Sequence, residues 1–143
     1  MAWSNRERVL VPVDFSDGSI QAVDVALEFV PNSAHLYLIN VTRSMSPVEP
    51  AAVWEEHGEE NRLLNLENKL KETFSDPRFQ EIHVQVKTGN PGAEIVRYAE
   101  RIAADLVVMP ATGRTGMKRV TLGSVAERVL RYAPCPVILL RES

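Results

Sequence analysis

The stretch that decides the fold is Asp105-Leu-Val-Val-Met-Pro-Ala-Thr-Gly-Arg-Thr-Gly-Met-Lys-Arg-Val-Thr-Leu-Gly-Ser-Val-Ala-Glu-Arg-Val-Leu-Arg-Tyr-Ala-Pro-Cys-Pro-Val-Ile-Leu-Leu-Arg141. It runs as an apolar strand, a glycine-punctuated loop, an amphipathic helix and a second apolar strand. A glycine-rich backbone at a strand's carboxyl end, leading into a helix amino terminus, accepts anions. Glycine lets the main chain come close, and the free helix N–H groups point at the ligand. Phosphate is therefore the first ligand implied. Pro110 stands where such a loop would gain from another N–H.

Upstream, short apolar runs alternate with segments of helical period. Arg8 to Val13 is apolar on both faces, as a parallel strand covered on each side must be. Ser16 offers a helix cap with Asp17 in the first turn, and Ile20, Val23, Leu27 and Val30 follow at helical spacing before Pro31 stops the helix. His35 to Val41 reads as a second strand and Thr42 to Pro50 as a loop. A polar helix is expected from about Ala51 or Glu55 to Thr73, with Leu63, Leu66, Leu70 and Phe74 on one face. Glu81 to Lys87 alternates as a third strand. Asn90-Pro91 opens a third helix whose stripe is Ile95, Ala99 and Ile102. Leu106 to Met109 is the fourth strand. Val125, Val129 and Tyr132 mark the inner face of the last helix, and Val137 to Leu140 is the fifth strand.

This succession implies one doubly wound parallel sheet with helices on both faces. A length of 143 residues suits a single domain, and 45% apolar residues suit a packed core. No apolar run approaches the roughly 20 residues of a spanning helix, and the amino terminus lacks the apolar core of a signal peptide. One cysteine allows no internal disulfide, which fits a reducing cytoplasm. A net charge of −3 argues against broad binding to nucleic acid or anionic lipid, while leaving room for a local basic patch.

Ligands of such sheets sit beyond the strand carboxyl ends, where the strand order reverses. Those ends are Asp14, Val41, Thr88 and Met109, and only two are followed by sequence suited to chemistry: Asp14-Phe15-Ser16 and Pro110 to Gly116. Asp14, acceptor-only when ionised, suits the amino or hydroxyl donors of a nucleoside; its plainer role is to cap the first helix. Gly113 opens room for phosphate or simply makes a turn. Gly123 and Ser124 present N–H groups and a hydroxyl at a helix start, unless Ser124 is an ordinary N-cap.

Three motifs make the chain resemble the universal stress protein family: Leu10-Val-Pro-Val-Asp-Phe-Ser16, Gly89-Asn-Pro-Gly-Ala-Glu-Ile95, and Gly113-Arg-Thr-Gly with Leu122-Gly-Ser-Val-Ala-Glu127 and Ala133-Pro-Cys-Pro-Val137. The match spans residues 1–143 in family order. It implies an open Rossmann-like, adenine nucleotide alpha hydrolase-like sheet of order 3-2-1-4-5. It also implies a homodimer paired through the C-terminal strand and, in one branch, ATP carried with magnesium or manganese. In that branch the phosphate motif is Gly, two residues, Gly, nine residues, Gly, then Ser or Thr. Gly113, the spacer Arg114 to Leu122, and Gly123-Ser124 match it; its first glycine falls on Pro110, a departure. The adenine-side positions Pro12, Val13, Asp14 and Val41 are intact, and Met109 and Val125 flank the phosphate side. The implied site is thus Pro12, Val13, Asp14, Val41, Met109, Pro110, Gly113, Gly123, Ser124 and Val125.

Pro110 lacks an N–H, and one lost hydrogen bond weakens binding by about 0.5–1.5 kcal/mol. It motivates the rival reading, a dimeric interaction module whose phosphate loop is structural only. A slow ATP hydrolase ranks last, because no histidine or carboxylate near the loop is placed to orient water. Arg114, Lys118 and Arg119 either screen phosphate or form a solvated basic loop. No Walker or dinucleotide fingerprint is present. His35, His57 and His83 are isolated in sequence, against a zinc site, and Cys135 between two prolines reads as a packed residue. Glu55 to Glu60 is a solvated acidic helix start, and Trp54 beside it either contacts a partner or, as the plainer reading, packs the second helix. A phosphoryl-receiver domain fails, since Thr88-Gly89-Asn90 follows the third strand where an acceptor aspartate would stand.

Overall fold

The computed structural model describes residues 3–43, 58–112 and 122–141. Five parallel strands, β1 (Val9–Pro12), β2 (Leu36–Thr42), β3 (His83–Thr88), β4 (Leu106–Pro110) and β5 (Val137–Leu140), form one sheet in the order β3-β2-β1-β4-β5. The doubly wound parallel sheet expected from the sequence is present in that order. Every residue of β1 and β4 is buried, because these central strands are covered on both sides.

The helices α1 (Asp17–Ala26), α2 (Gly58–Thr73), α3 (Pro91–Arg101) and α4 (Ser124–Tyr132) divide between the faces. Val9, Val11, Leu36 and Leu38 form one cluster with Ala22 and Val23 of α1, with Leu70 of α2 and with Phe74 just beyond it. Leu10, Ile39, Val107 and Met109 form the other with Ile95 and Ala99 of α3 and Ala126 and Val129 of α4. Adjacent residues of one strand thus serve opposite cores, each buried Val or Leu contributing about 1.5–3 kcal/mol. Leu63 and Leu66, expected on the buried stripe of α2, are half-buried. Tyr132, expected on the inner face of α4, is 57% exposed, since the buried stripe is centred on Ala126 and Val129 and Tyr132 lies off it.

Local chemistry sets the boundaries. Ser16 caps α1 by accepting from the Ser19 N–H, and Asn90 caps α3 by accepting from the Ala93 N–H, with Pro91 in the first turn. At the far end of α3, Ala103 adopts φ 53° while the Ala104 N–H reaches the Ala99 carbonyl, a Schellman closure made without glycine. Between β1 and β4 the connections diverge to opposite sides of the sheet, and that divergence opens a crevice at the strands' carboxyl ends.

Candidate functional site

A cavity of about 420 Å³ occupies this crevice. Its wall takes in Pro12, Val13 and Asp14 from the end of β1, Val41 from β2, Met109 and Pro110 from β4, and Gly123, Ser124 and Val125 at the start of α4. Nine of the ten residues implied by the sequence therefore meet around one space; Gly113, with the basic residues Arg114, Lys118 and Arg119, lies outside the described residues. The size lies within the roughly 300–1,000 Å³ usual for small-molecule sites. Ser19, Ile39, Arg43, Pro91, Ile95, Thr112 and Ala126 complete the lining and were missed. Ile39 and Ile95 were visible only as core residues. Arg43 and Pro91 carried no signal of meeting there, because their approach depends on how α3 lies over β2.

At the end of β1 the chain turns sharply. Asp14 Oδ1 accepts from both the backbone N–H and the hydroxyl of Ser16, and Ser16 in turn caps α1. Asp14 is therefore not the cap itself; it fixes the residue that is. Phe15 between them holds φ 65°, a left-handed conformation that costs a bulky residue about 1–3 kcal/mol. Its ring packs against the core below and lies 4.2 Å from the Lys69 ammonium. From β2, the buried Asn40 donates through Nδ2 to the Val13 carbonyl at 2.7 Å, tying the turn to the neighbouring strand. Asn40 escaped the sequence reading because an asparagine inside an apolar strand carries no motif.

At the start of α4 the sequence expectation needs two corrections. Ser124 is not an N-cap: Gly123 occupies that position, with φ −63° and no side-chain capping bond, and Ser124 is the first helical residue. The Gly123 N–H is not free either, since it donates to the Ala111 carbonyl at 2.9 Å. Among the described residues the first-turn N–H groups of Ser124, Val125 and Ala126 are left without a capping side chain, and these three residues line the cavity. Uncapped N–H groups and the positive end of the helix dipole together favour an anion there.

Pro110 completes the wall. The N–H groups of Val107 and Ala111 donate to the carbonyls of Pro136, just before β5, and Leu140, at its end. By strand alternation the Pro110 nitrogen faces the opposite side, toward β1. The β1–β4 ladder has ended there, its last registered pair being Leu10 with Val107. The proline thus costs the sheet no ladder bond, but leaves the crevice without one donor.

Other sequence features take plainer roles. His35 and His83 hydrogen-bond the carbonyls of Glu7 and Ala34, and the His83 ring stacks on Tyr37 at 4.3 Å. His57 and Trp54 lie outside the described residues. Burial, and then the nearby Asp105 carboxylate, push the Cys135 thiol above its ordinary value, which suits a packed residue rather than a nucleophile. No group of three or more His, Cys, Asp or Glu able to hold a metal occurs among the described residues. No helix among them is long and apolar enough to cross a membrane.

A universal stress protein of Methanocaldococcus jannaschii is 35% identical over 148 residues, covering 95% of this chain and 82% of the relative. The solved structure of a universal stress protein from Lactobacillus plantarum superposes with a TM-score of 0.72 at 26% identity, covering 96% and 99% of the two chains. At 21% identity the same fold recurs in a universal stress protein solved in complex with cAMP (TM-score 0.64; 96% and 99% covered). It recurs again in an Arabidopsis thaliana member solved with AMP bound (TM-score 0.55; 95% and 92% covered). The model of the universal stress protein family matches residues 5–141, which take in all five strands of the sheet, and the chain belongs to that family.

Proposed function

We propose that this protein is a stress-response protein that binds adenine nucleotide, with ATP as the ligand, and acts as a dimeric switch in the cytoplasm. The observation that carries the reading is the uncapped start of α4 opening into the crevice across from Asp14. A phosphate supplies the acceptor that the first turn lacks, and a nucleoside supplies donors for the Asp14 oxygen not bound by Ser16. Pro12, Val13, Ile39 and Val41 give a largely apolar wall for the base. The cAMP and AMP complexes of the two distant relatives support the ligand class. A triphosphate would bring its own divalent cation, magnesium or manganese. The lone cysteine is in keeping with a reducing compartment.

Calorimetric titration with AMP and ATP tests the reading. The parent binds. Asp14→Ala weakens recognition of adenosine, and Gly123→Val, whose backbone angles tolerate any side chain, obstructs the phosphates. Equal affinity of both variants and the parent would put the ligand elsewhere. Pro110 favours a second reading, an interaction module of the same family that binds no nucleotide; absence of heat with either nucleotide, in a folded parent, selects it.

A further inference from the structure

β3 bounds the sheet on the side away from β5, and its outer side carries no strand among the described residues. The Gly89 N–H donates to the Thr42 carbonyl, so by alternation Lys87, Gln85 and His83 turn their backbone groups to β2. Val84, Val86 and Thr88 turn theirs outward. In this row the Val86 carbonyl accepts from Gln85 Nε2 at 3.3 Å, a long bond from a side chain that can swing away. Folded proteins usually blunt such an edge with proline, a bulge or an added charge. β3 contains no proline and pairs with β2 without a break from Tyr37–His83 to Thr42–Thr88.

A groove of about 300 Å³ runs along this edge, between β3 and α2. Leu63, Leu64, Val84 and Val86 give it an apolar bed, and Leu64 is 53% exposed. Glu60 and Glu67 are its charged lining residues. Glu67 also pairs with Lys71 at 3.4 Å, an exposed pair of the kind that exchanges partners at little cost. Glu59 accepts from the Thr88 hydroxyl, which sets the start of α2 at the carboxyl end of β3. The helix runs back along the strand, and Glu67 lies about 12 Å further on, the span of about four strand residues, level with Val84. Along the groove the order is therefore carboxylate, apolar bed, carboxylate.

We propose that the β3 edge and this groove form a docking site for an extended segment of another protein, added as a further strand. One face of that segment carries two apolar residues flanked on each side by Lys or Arg. The outward backbone row supplies the ladder, the leucines and valines take the apolar side chains, and Glu60 and Glu67 take the flanking cations. A second copy of this chain is the poorer occupant, because a two-fold axis beside β3 sets Glu60 and Glu67 of both copies along one seam. The site lies on the opposite edge from β5, so a dimer paired through β5 leaves it open, and it needs no nucleotide.

The probe is an end-blocked peptide, Lys-Thr-Val-Thr-Val-Thr-Lys, titrated into the full chain labelled with nitrogen-15, beside a counterpart with Glu at both ends. Amide shifts are expected at Val84, Val86 and Thr88, with Leu139 on the opposite edge unmoved. The lysine peptide binds about tenfold tighter than the glutamate peptide, and Glu60→Lys combined with Glu67→Lys inverts that preference. Leu64→Ser, at an exposed position, weakens the lysine peptide at least about threefold. Val86→Pro deletes a donor from the outward row and none from the β2–β3 ladder, and abolishes binding. Circular dichroism verifies its fold; if it does not fold, the charge reversal and Leu64→Ser carry the test. Shifts centred elsewhere, no shifts at millimolar peptide, equal affinity for the two peptides, or a preference indifferent to the charge reversal overturns the proposal. A parent that sediments as a larger species than folded Val86→Pro overturns it too, since the edge then joins copies of this chain.

Discussion

At Pro110 the chain closes β4 with a residue whose nitrogen faces the crevice and carries no proton, so the cost falls on the ligand rather than on the sheet. Replacing Pro110 by glycine returns a donor on that side and removes the ring from the wall. ATP binding should tighten by a few-fold to about tenfold, the worth of about one hydrogen bond. Glycine also enlarges the entropy of the unfolded chain, so a small loss of stability should accompany the gain. Titration of the variant beside a urea melt reads both effects; unchanged or weaker affinity would mean that no phosphate oxygen approaches the residue. The departure at Pro110 was plain in the sequence. Its consequence was not, because the direction of a strand nitrogen depends on which neighbours the strand has. The same holds for Asp14, recognised as a site residue but not as the acceptor that holds Ser16, and for Gly123, whose N–H is spent on Ala111.

Elements were legible where their period was strong and bounded by caps. The α3 start at Asn90-Pro91 and the limits of β5 agree with the sequence reading, while β3 begins later, at His83, because Glu81 joins Ser33 instead of a strand partner. What stayed hidden were contacts between elements distant along the chain. The acidic start of α2 read as a solvated run favourable to the helix dipole; Glu59 within it accepts from the Thr88 hydroxyl at 2.7 Å and pairs with Arg62 at 3.0 Å. Arg62 reaches on to the Thr42 hydroxyl, so this clamp joins α2 to the ends of β2 and β3 beside the crevice. The Thr88 hydrogen bond, and then Arg62, hold the Glu59 carboxyl below its ordinary value. Since the folded value is the lower one, whatever stability the clamp gives is present above the unfolded value and is lost as pH falls through the folded one. An NMR titration of the Glu59 side chain should show a midpoint below that of an ordinary glutamate, moving upward in Thr88→Val. A midpoint that is ordinary in the parent, or indifferent to Thr88→Val, would remove the clamp from the account.

For the molecule as a whole, the order β3-β2-β1-β4-β5 leaves β5 at an edge, and an apolar edge strand needs a cover or a partner. A two-fold axis beside β5 would pair two copies antiparallel and satisfy both rows of backbone groups. Ile138 and Leu139 are not equivalent places for a blocking proline, because strand alternation separates them. The carbonyls of Pro136 and Leu140 accept from β4, so Ile138, between them in the same phase, also faces β4, while Val137, Leu139 and Arg141 present their backbone outward. Leu139→Pro therefore removes a donor only from the open edge, whereas Ile138→Pro removes one from the protein's own sheet. If the edge carries the dimer, the parent sediments as a dimer at high micromolar concentration. Leu139→Pro then sediments as a folded monomer, and Ile138→Pro loses stability in a urea melt. Leu139 also packs against the α3–α4 side, so circular dichroism must show the Leu139→Pro fold intact before its mass is read. A parent that remains monomeric with and without ATP would end the proposal of a dimeric switch, whatever the nucleotide site does.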